Sequence, residues 1–156
     1  MQVLAYDVPG WGVGEAWLEG GRLLYHEHPR AGHSPPDSAH HPLLERFRAY
    51  FRGERVTFDD VAIDLDWATP FQLAVAETLR AVPYGEVVTY GELAALAGHP
   101  NAQRAAGTFC AGNRFALVVP CHRVVAAGGL GSYGALGTAY KRRLLALEGV
   151  VPETVE

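Results

Sequence analysis

Apolar positions along this chain change their period several times, and each change marks an element. Residues 3–8 and 13–18 follow the two-residue rhythm of strands, and Gly20-Gly21 joins Ala16-Trp17-Leu18 to Leu23-Leu24-Tyr25 as a hairpin. Residues 26–42 break the rhythm. His26, His28, His33, His40 and His41 stand there among Pro, Gly, Ser and Asp, a composition that predicts an exposed loop. Leu43, Leu44, Phe47, Tyr50 and Phe51 then recur at helical spacing and stop at Gly53, which predicts an amphipathic helix packed on the sheet. Residues 61–65 predict one more strand, and Asp66-Trp67-Ala68 leads out of a small N-terminal α/β domain, residues 1–66.

Thr69-Pro70-Phe71-Gln72 combines an N-cap, a proline at the first helical position and a capping-box glutamine, so a helix starts there and runs to about Arg80. A turn over Val82-Pro83-Tyr84-Gly85-Glu86 follows. Thr89-Tyr90-Gly91-Glu92 repeats the capping box and opens a helix over 90–97, stopped by Gly98; Asn101 caps another over 102–110. Two short helices with a glycine-containing turn are the pattern of a helix-turn-helix. The second carries Ala102, Ala105, Ala106 and Gly107, with Gln103 and Arg104 as its long polar side chains. A major-groove reader would aim several long polar groups at base edges. A face of small residues suits either packing on another helix or close approach to a minor groove.

Leu117-Val118-Val119 and Val124-Val125 predict a buried extended segment, interrupted by Pro120-Cys121-His122-Arg123. Five glycines within residues 128–137 predict a mobile loop. Residues 138–148 predict a final helix with Leu144, Leu145 and Leu147 inward, Lys141, Arg142 and Arg143 outward, and Gly149 as its stop.

Charge alters this picture only once the chain is divided. The net charge of −4 argues against a nucleic-acid partner, yet residues 1–66 carry −5 and residues 67–156 carry +1. That footprint predicts modest, strongly salt-dependent affinity for DNA. Cys110 and Cys121 are the two cysteines, too few for a disulfide framework and suited to a reducing compartment. No long apolar run predicts a membrane span, and Met1-Gln2-Val3-Leu4-Ala5-Tyr6-Asp7 lacks a signal-peptide pattern, so a cytoplasmic protein is expected. The histidine-rich stretch has no cysteine beside it and no paired ligand spacing; neither a metal nor a cofactor is expected.

From the residues alone, Cys121 and His122 carry two readings: a small buried thiol beside a core imidazole, or a nucleophile with its base. Neighbours on a strand face opposite ways, so cooperation needs a turn or a helical start at Pro120. A helix N-terminus would lower the thiol pKa and favour the thiolate. Glu148, in the last turn of the final helix, opposes the dipole there; a solvated acid and a carboxylate with a local partner both fit.

Pro120-Cys121-His122-Arg123-Val124 resembles the active-site signature of the O6-alkylguanine-DNA alkyltransferases, and the resemblance extends through several ordered motifs over residues 67–149. It implies an α/β protein: a ribonuclease H-like N-terminal domain of antiparallel sheet plus helix, then a mostly helical, winged helix-turn-helix-like domain over residues 67–156. It implies a monomer that binds double-stranded DNA through the minor groove and repairs O6-alkylguanine by irreversible, single-turnover alkyl transfer to its own cysteine. O4-alkylthymine is a further candidate lesion. By this resemblance Cys121 is the nucleophile, His122 its base and Glu148 the carboxylate that orients His122. Tyr90 helps rotate the nucleotide and protonates the departing guanine. Arg104 occupies the position of the arginine that replaces the extruded base, with Ala102, Gln103, Ala105 and Gly107 beside it at the DNA. Asn113 is a hinge between the recognition helix and the cysteine loop, and Pro120, Val124, Tyr133 and Gly134 wall the alkylguanine pocket. The chain departs from the family pattern at Arg114-Phe115-Ala116, where prolines are common, and at Ala135, where paired glycines are usual. The zinc-binding cysteines that some relatives carry in the N-terminal domain are absent. Two rivals stand beside this reading. A papain-like hydrolase places its Cys and His far apart in sequence, and an alkyltransferase-like lesion-binding protein lacks the nucleophile that Cys121 supplies.

Overall fold

A computed structural model describes residues 1–32 and 39–151. The fold divides into two compact units, one of Met1–Asp64 with Arg114–Val118, the other of Leu65–Asn113 with Val119–Glu156. The class is mixed α/β, with an antiparallel sheet in the first unit and mostly helices in the second.

In the first unit β1 (Gln2–Val8), β2 (Gly12–Glu19) and β3 (Arg22–Arg30) form an antiparallel sheet in that order. Gly20 and Gly21 have φ of +57° and +79°, the two positive values that a two-residue hairpin turn of the primed type needs. Helix α1 (Pro42–Phe51) fully buries Leu44, Phe47 and Tyr50, as their spacing predicts. The predicted loop begins later than composition suggests. β3 runs through His26 and His28, which are buried at 1% and 2% exposure because their rings complete an aromatic core. His26 stacks on Phe47 with centroids 3.9 Å apart. His41 caps α1, its Nδ1 accepting from the Leu43 amide at 3.1 Å, and His40 is exposed. His33 lies outside the described residues. Residues 61–65 form no strand; Ile63 makes a single bridge to Leu23, whose N–H and C=O are satisfied by Ala62 and Asp64.

The second unit follows the order α2 (Pro70–Arg80), β4 (Val88–Thr89), α3 (Tyr90–Leu96), α4 (Gln103–Ala111), a 3₁₀ turn at Cys121–Arg123, β5 (Val124–Val125), a second 3₁₀ turn at Gly134–Leu136, and α5 (Gly137–Leu147). Both predicted capping boxes form, at Thr69 with Gln72 and at Thr89 with Glu92. Helix α5 ends in a Schellman motif: Gly149 at φ +84° donates to Ala146 O, and the Val150 amide reaches Leu145 O at 2.9 Å.

Three local expectations change. Asn101 does not cap α4; it turns the chain at φ +70°, and Ala102 stands at the cap without a side-chain bond. The apolar run around Cys121 contributes only the two residues of β5, paired in parallel with β4, because Pro120 and a positive φ at Leu117 keep the rest from extending. Lys141, expected to face outward, is fully buried. Among the described residues no helix is long and apolar enough to cross a membrane.

Candidate functional site

Cys121 sits where two tight turns meet. Pro120, at φ −80° and ψ 68°, centres an inverse γ-turn in which the Cys121 amide donates to Val119 O at 2.8 Å. Cys121 and His122 are thereby taken off the strand geometry that would set them on opposite faces. Asn113 Nδ2 donates to the same Val119 carbonyl at 2.8 Å, tying the end of α4 to the turn. The thiol is 3% exposed. Its pKa moves opposite to the sequence expectation: burial first, then a hydrogen bond with Cys110 of α4, push it well above the ordinary value. A three-residue 3₁₀ turn brings too few aligned peptide dipoles to offset that burial. Lys141 and Asn113 pull the thiol the other way.

Behind the thiol lies a buried charge cluster. His122 Nε2 and Glu148 Oε2 are 2.5 Å apart with both side chains fully buried. Arg123 donates from Nε to Glu148 Oε1 at 2.9 Å, from Nη2 to Oε2 at 3.2 Å, and from Nη1 to Val82 O at 2.9 Å. The Gly85 amide completes the carboxylate's shell at 2.9 Å. Burial alone would raise the Glu148 carboxyl, but the bonds and charges of His122 and Arg123 hold it well below the carboxylate range. Burial lowers the His122 pKa despite Glu148. The consistent state is an ionised Glu148, neutralised by Arg123, accepting the Nε2–H of a neutral His122. The lone pair of that imidazole is then on Nδ1.

Residues 70–150 match the family model of the 6-O-methylguanine DNA methyltransferase DNA binding domain. The chain belongs to that methyltransferase family. A Methanopyrus kandleri protein named methylated-DNA--protein-cysteine methyltransferase is 46% identical over 113 residues, 72% of this chain and 82% of that protein. The Mycobacterium tuberculosis protein of the same name is 43% identical over 124 residues, covering 79% and 73%. Among solved structures, Mycobacterium tuberculosis OGT in complex with DNA is similar with a TM-score of 0.80 at 38% identity, covering 96% of this chain and 93% of that one. The O6-methylguanine-DNA methyltransferase of Pyrococcus kodakaraensis is similar with a TM-score of 0.71 at 26% identity, covering 95% and 98%.

In this member of the methyltransferase family, Tyr90, Tyr133 and Lys141 gather around the two thiols. The Tyr90 ring lies under a close backbone: a side chain on Gly131 would come within 3.3 Å of it, and one on Gly107 within 3.8 Å. Burial, and then the two cysteines, push the Tyr90 phenol up to about 12, so it keeps its proton through the neutral range. Tyr133 is likewise raised, by burial and then by Cys121. Pro120 and Val124 are buried beside Cys121 in sequence, whereas Gly134 is exposed.

Lys141 is the residue that the sequence reading misses. Its Nζ donates to Ser132 O at 3.2 Å and lies 5.7 Å from the Tyr90 ring centroid. Burial lowers its pKa to about 8, against the pull of both cysteines. The signal was available: Lys141, Leu144, Leu145 and Glu148 fall at i, i+3, i+4 and i+7, one helical face, and all four are buried. Helix α4 divides the two readings of its small residues. Ala106 is fully buried and packs inward, while Gln103, Arg104 and Ala105 are exposed and Ala102 is half-buried.

Proposed function

We propose that the protein repairs alkylated DNA by moving the alkyl group of O6-alkylguanine onto Cys121, once per molecule, with O4-alkylthymine as a second candidate lesion. The buried hydrogen bond from His122 to Glu148, next in sequence to a thiol, carries this reading. In it, His122 Nδ1 takes the Cys121 proton through a water molecule, and Glu148 stabilises the imidazolium that forms. The thiolate displaces guanine O6 from the alkyl carbon, so an S–C bond forms as the C–O bond breaks. Tyr90 gives its proton to the departing guanine, and the imidazolium proton returns to the phenolate through solvent. The product thioether has no electrophilic carbonyl for water to attack, so the thiol is not regenerated. A high thiol pKa in the resting protein fits this scheme, because the proton leaves only when the base is engaged.

The exposed face of α4 suits docking in the minor groove of duplex DNA, with Arg104 filling the space of an extruded base and Ala102, Gln103, Ala105 and Gly107 close to the backbone. Pro120, Val124, Tyr133 and Gly134 would enclose the flipped base, and Asn113 would link α4 to the cysteine turn. We assign docking and transfer to residues 67–156, a scaffold role to residues 1–66, and a monomeric state; two free thiols suit a reducing, cytoplasmic setting. Incubation with duplex containing O6-methylguanine should add one methylene mass to the Cys121 peptide, stoichiometrically. Turnover, or labelling of Cys110, would reject the assignment. Arg104→Ala should slow repair of duplex more than reaction with free O6-benzylguanine; equal losses would count against extrusion.

A further inference from the structure

The chain leaves the second unit at Asn113, runs through Arg114–Val118 as part of the first, and returns at Val119, two residues before Cys121. That excursion is held by His26. The His26 amide donates to Arg114 O at 2.8 Å and the Ala116 amide to His26 O at 3.3 Å, a one-residue parallel bridge to the sheet. The side chain adds a third tie, with Nδ1 2.5 Å from Ala116 O. A carbonyl only accepts, so Nδ1 carries the proton, and Nε2 accepts from the Tyr6 hydroxyl at 2.5 Å. Stacking on Phe47 and 1% exposure leave the ring no second position.

The Ala116 carbonyl is an unusual object to hold. It also accepts from the Val118 amide at 2.9 Å, across Leu117 at φ +75°. That is the rarer, strained form of γ-turn, centred on a branched residue that disfavours positive φ. Strained backbone persists only where its surroundings over-determine it. The turn is followed directly by Val119, Pro120 and Cys121.

We propose that His26 is a positioning residue for the nucleophile: by donating to Ala116 O it holds the strained Leu117 turn, which is joined to Cys121 through only three intervening residues. The inference rests on Cys121 being the alkyl acceptor, and the experiment separates the two.

The test compares His26→Asn, His26→Gln and His26→Leu in the full chain. The asparagine amide can stand where Nδ1–H stood, the glutamine amide reaches toward the Nε2 position, and leucine donates nothing. Transfer from free O6-benzylguanine, read as mass on the Cys121 peptide, should slow roughly tenfold in the Gln and Leu variants, since small misplacements of reacting atoms carry penalties of that order. The Asn variant should stay near the wild-type rate, and affinity for undamaged duplex should be the same in all four proteins. Rates equal across the series, or Asn as slow as Leu, would overturn the proposal. Should the Gln and Leu variants not fold by circular dichroism, Tyr6→Phe carries the test. It keeps the ring stack and removes only the hydroxyl that holds the tautomer, and it must slow transfer measurably. A wild-type protein that gains no mass at Cys121 would sink the acceptor assignment itself, and this inference with it.

Discussion

His26 and His122 are both buried, both within 2.5 Å of an oxygen partner, and both lowered in pKa by burial, yet they are built for different ends. His26 stands between neutral groups, a backbone carbonyl and a phenol, which fix the Nδ1–H tautomer. His122 faces an ionised carboxylate that fixes the other tautomer, Nε2–H. Charging the ring separates them. A proton on His26 would meet no compensating charge, whereas one on His122 is met by Glu148 at contact distance. The same side chain is thus surrounded so that it stays neutral in one region and has a carboxylate to meet a proton in the other. The difference lies in the partner, since depth of burial is the same.

The sharpest break of that contrast is Glu148→Gln. It leaves the Arg123 guanidinium buried without its counter-ion and takes from His122 the charge that stabilises its protonated form. Breaking a buried ion pair from one side typically costs about 3–5 kcal/mol. Urea denaturation should show a loss of that size, and alkyl transfer by the folded fraction should fall roughly a hundredfold or more, as for other losses of general-base function. A variant that kept wild-type stability would mean that water, rather than Glu148, compensates Arg123.

Acid titration probes the other histidine. The His26 pKa is depressed from the ordinary 6.5 to about 4, so the unfolded chain binds its proton first. Its contribution is complete above 6.5, is lost as the pH falls from there toward 4, and then levels off. Over that window it amounts to about 3 kcal/mol. His122, also depressed, adds to the same slope. Glu148 acts lower: its carboxyl is held below the ordinary 4.5, so its contribution is present above that value and disappears at more acid pH. Unfolding free energies measured from neutral pH down to about 4 should therefore fall less steeply in His26→Leu than in wild type. Parallel slopes would place the His26 proton in solvent.

Much of this was legible in the sequence, for reasons that differ between the two units. Capping boxes at Thr69 and Thr89 and the glycine stop of α5 are local devices, and local chemistry fixes them. The family signature around Cys121 is legible because its chemistry is rare, and the fold brings His122 of that signature against Glu148. His26 and Lys141 depart from the sequence expectation for a common cause: polarity predicts exposure, and both are buried. Both are buried because distant residues satisfy them, Ala116 lying 90 positions from His26, and Ser132 and Tyr90 meeting Lys141. The direction of the thiol shift failed for a related reason. The sequence suggests a helix start, but only the fold shows that the helix is three residues long and that Cys110 of α4 hydrogen-bonds the thiol.

The smallest effects test whether the surroundings of Cys121 and His122 are tuned by charge while those of His26 are not. Lys141 lowers the Cys121 pKa and Cys110 raises it, so the two replacements should move the thiol in opposite directions. Lys141→Met should shift the thiolate ultraviolet titration upward, because the lysine is one of the two groups that lower it. Transfer from free benzylguanine at neutral pH should then slow by up to roughly tenfold, with the gap closing as the pH rises. The full factor is not expected, because Lys141 also depresses His122, whose basicity recovers when the ammonium is removed. Cys110→Ala should lower the thiol pKa, and by more than Lys141→Met raises it, because Cys110 contributes both a hydrogen bond and a charge interaction to the shift; the reaction should speed up accordingly. Neither replacement touches the partners of His26, so the acid slope assigned to that residue should persist in both. If Lys141→Met left the thiol titration unmoved, the ammonium would be acting as a clamp on Ser132 and Tyr90, and the charge that prepares Cys121 would have to come from His122 alone.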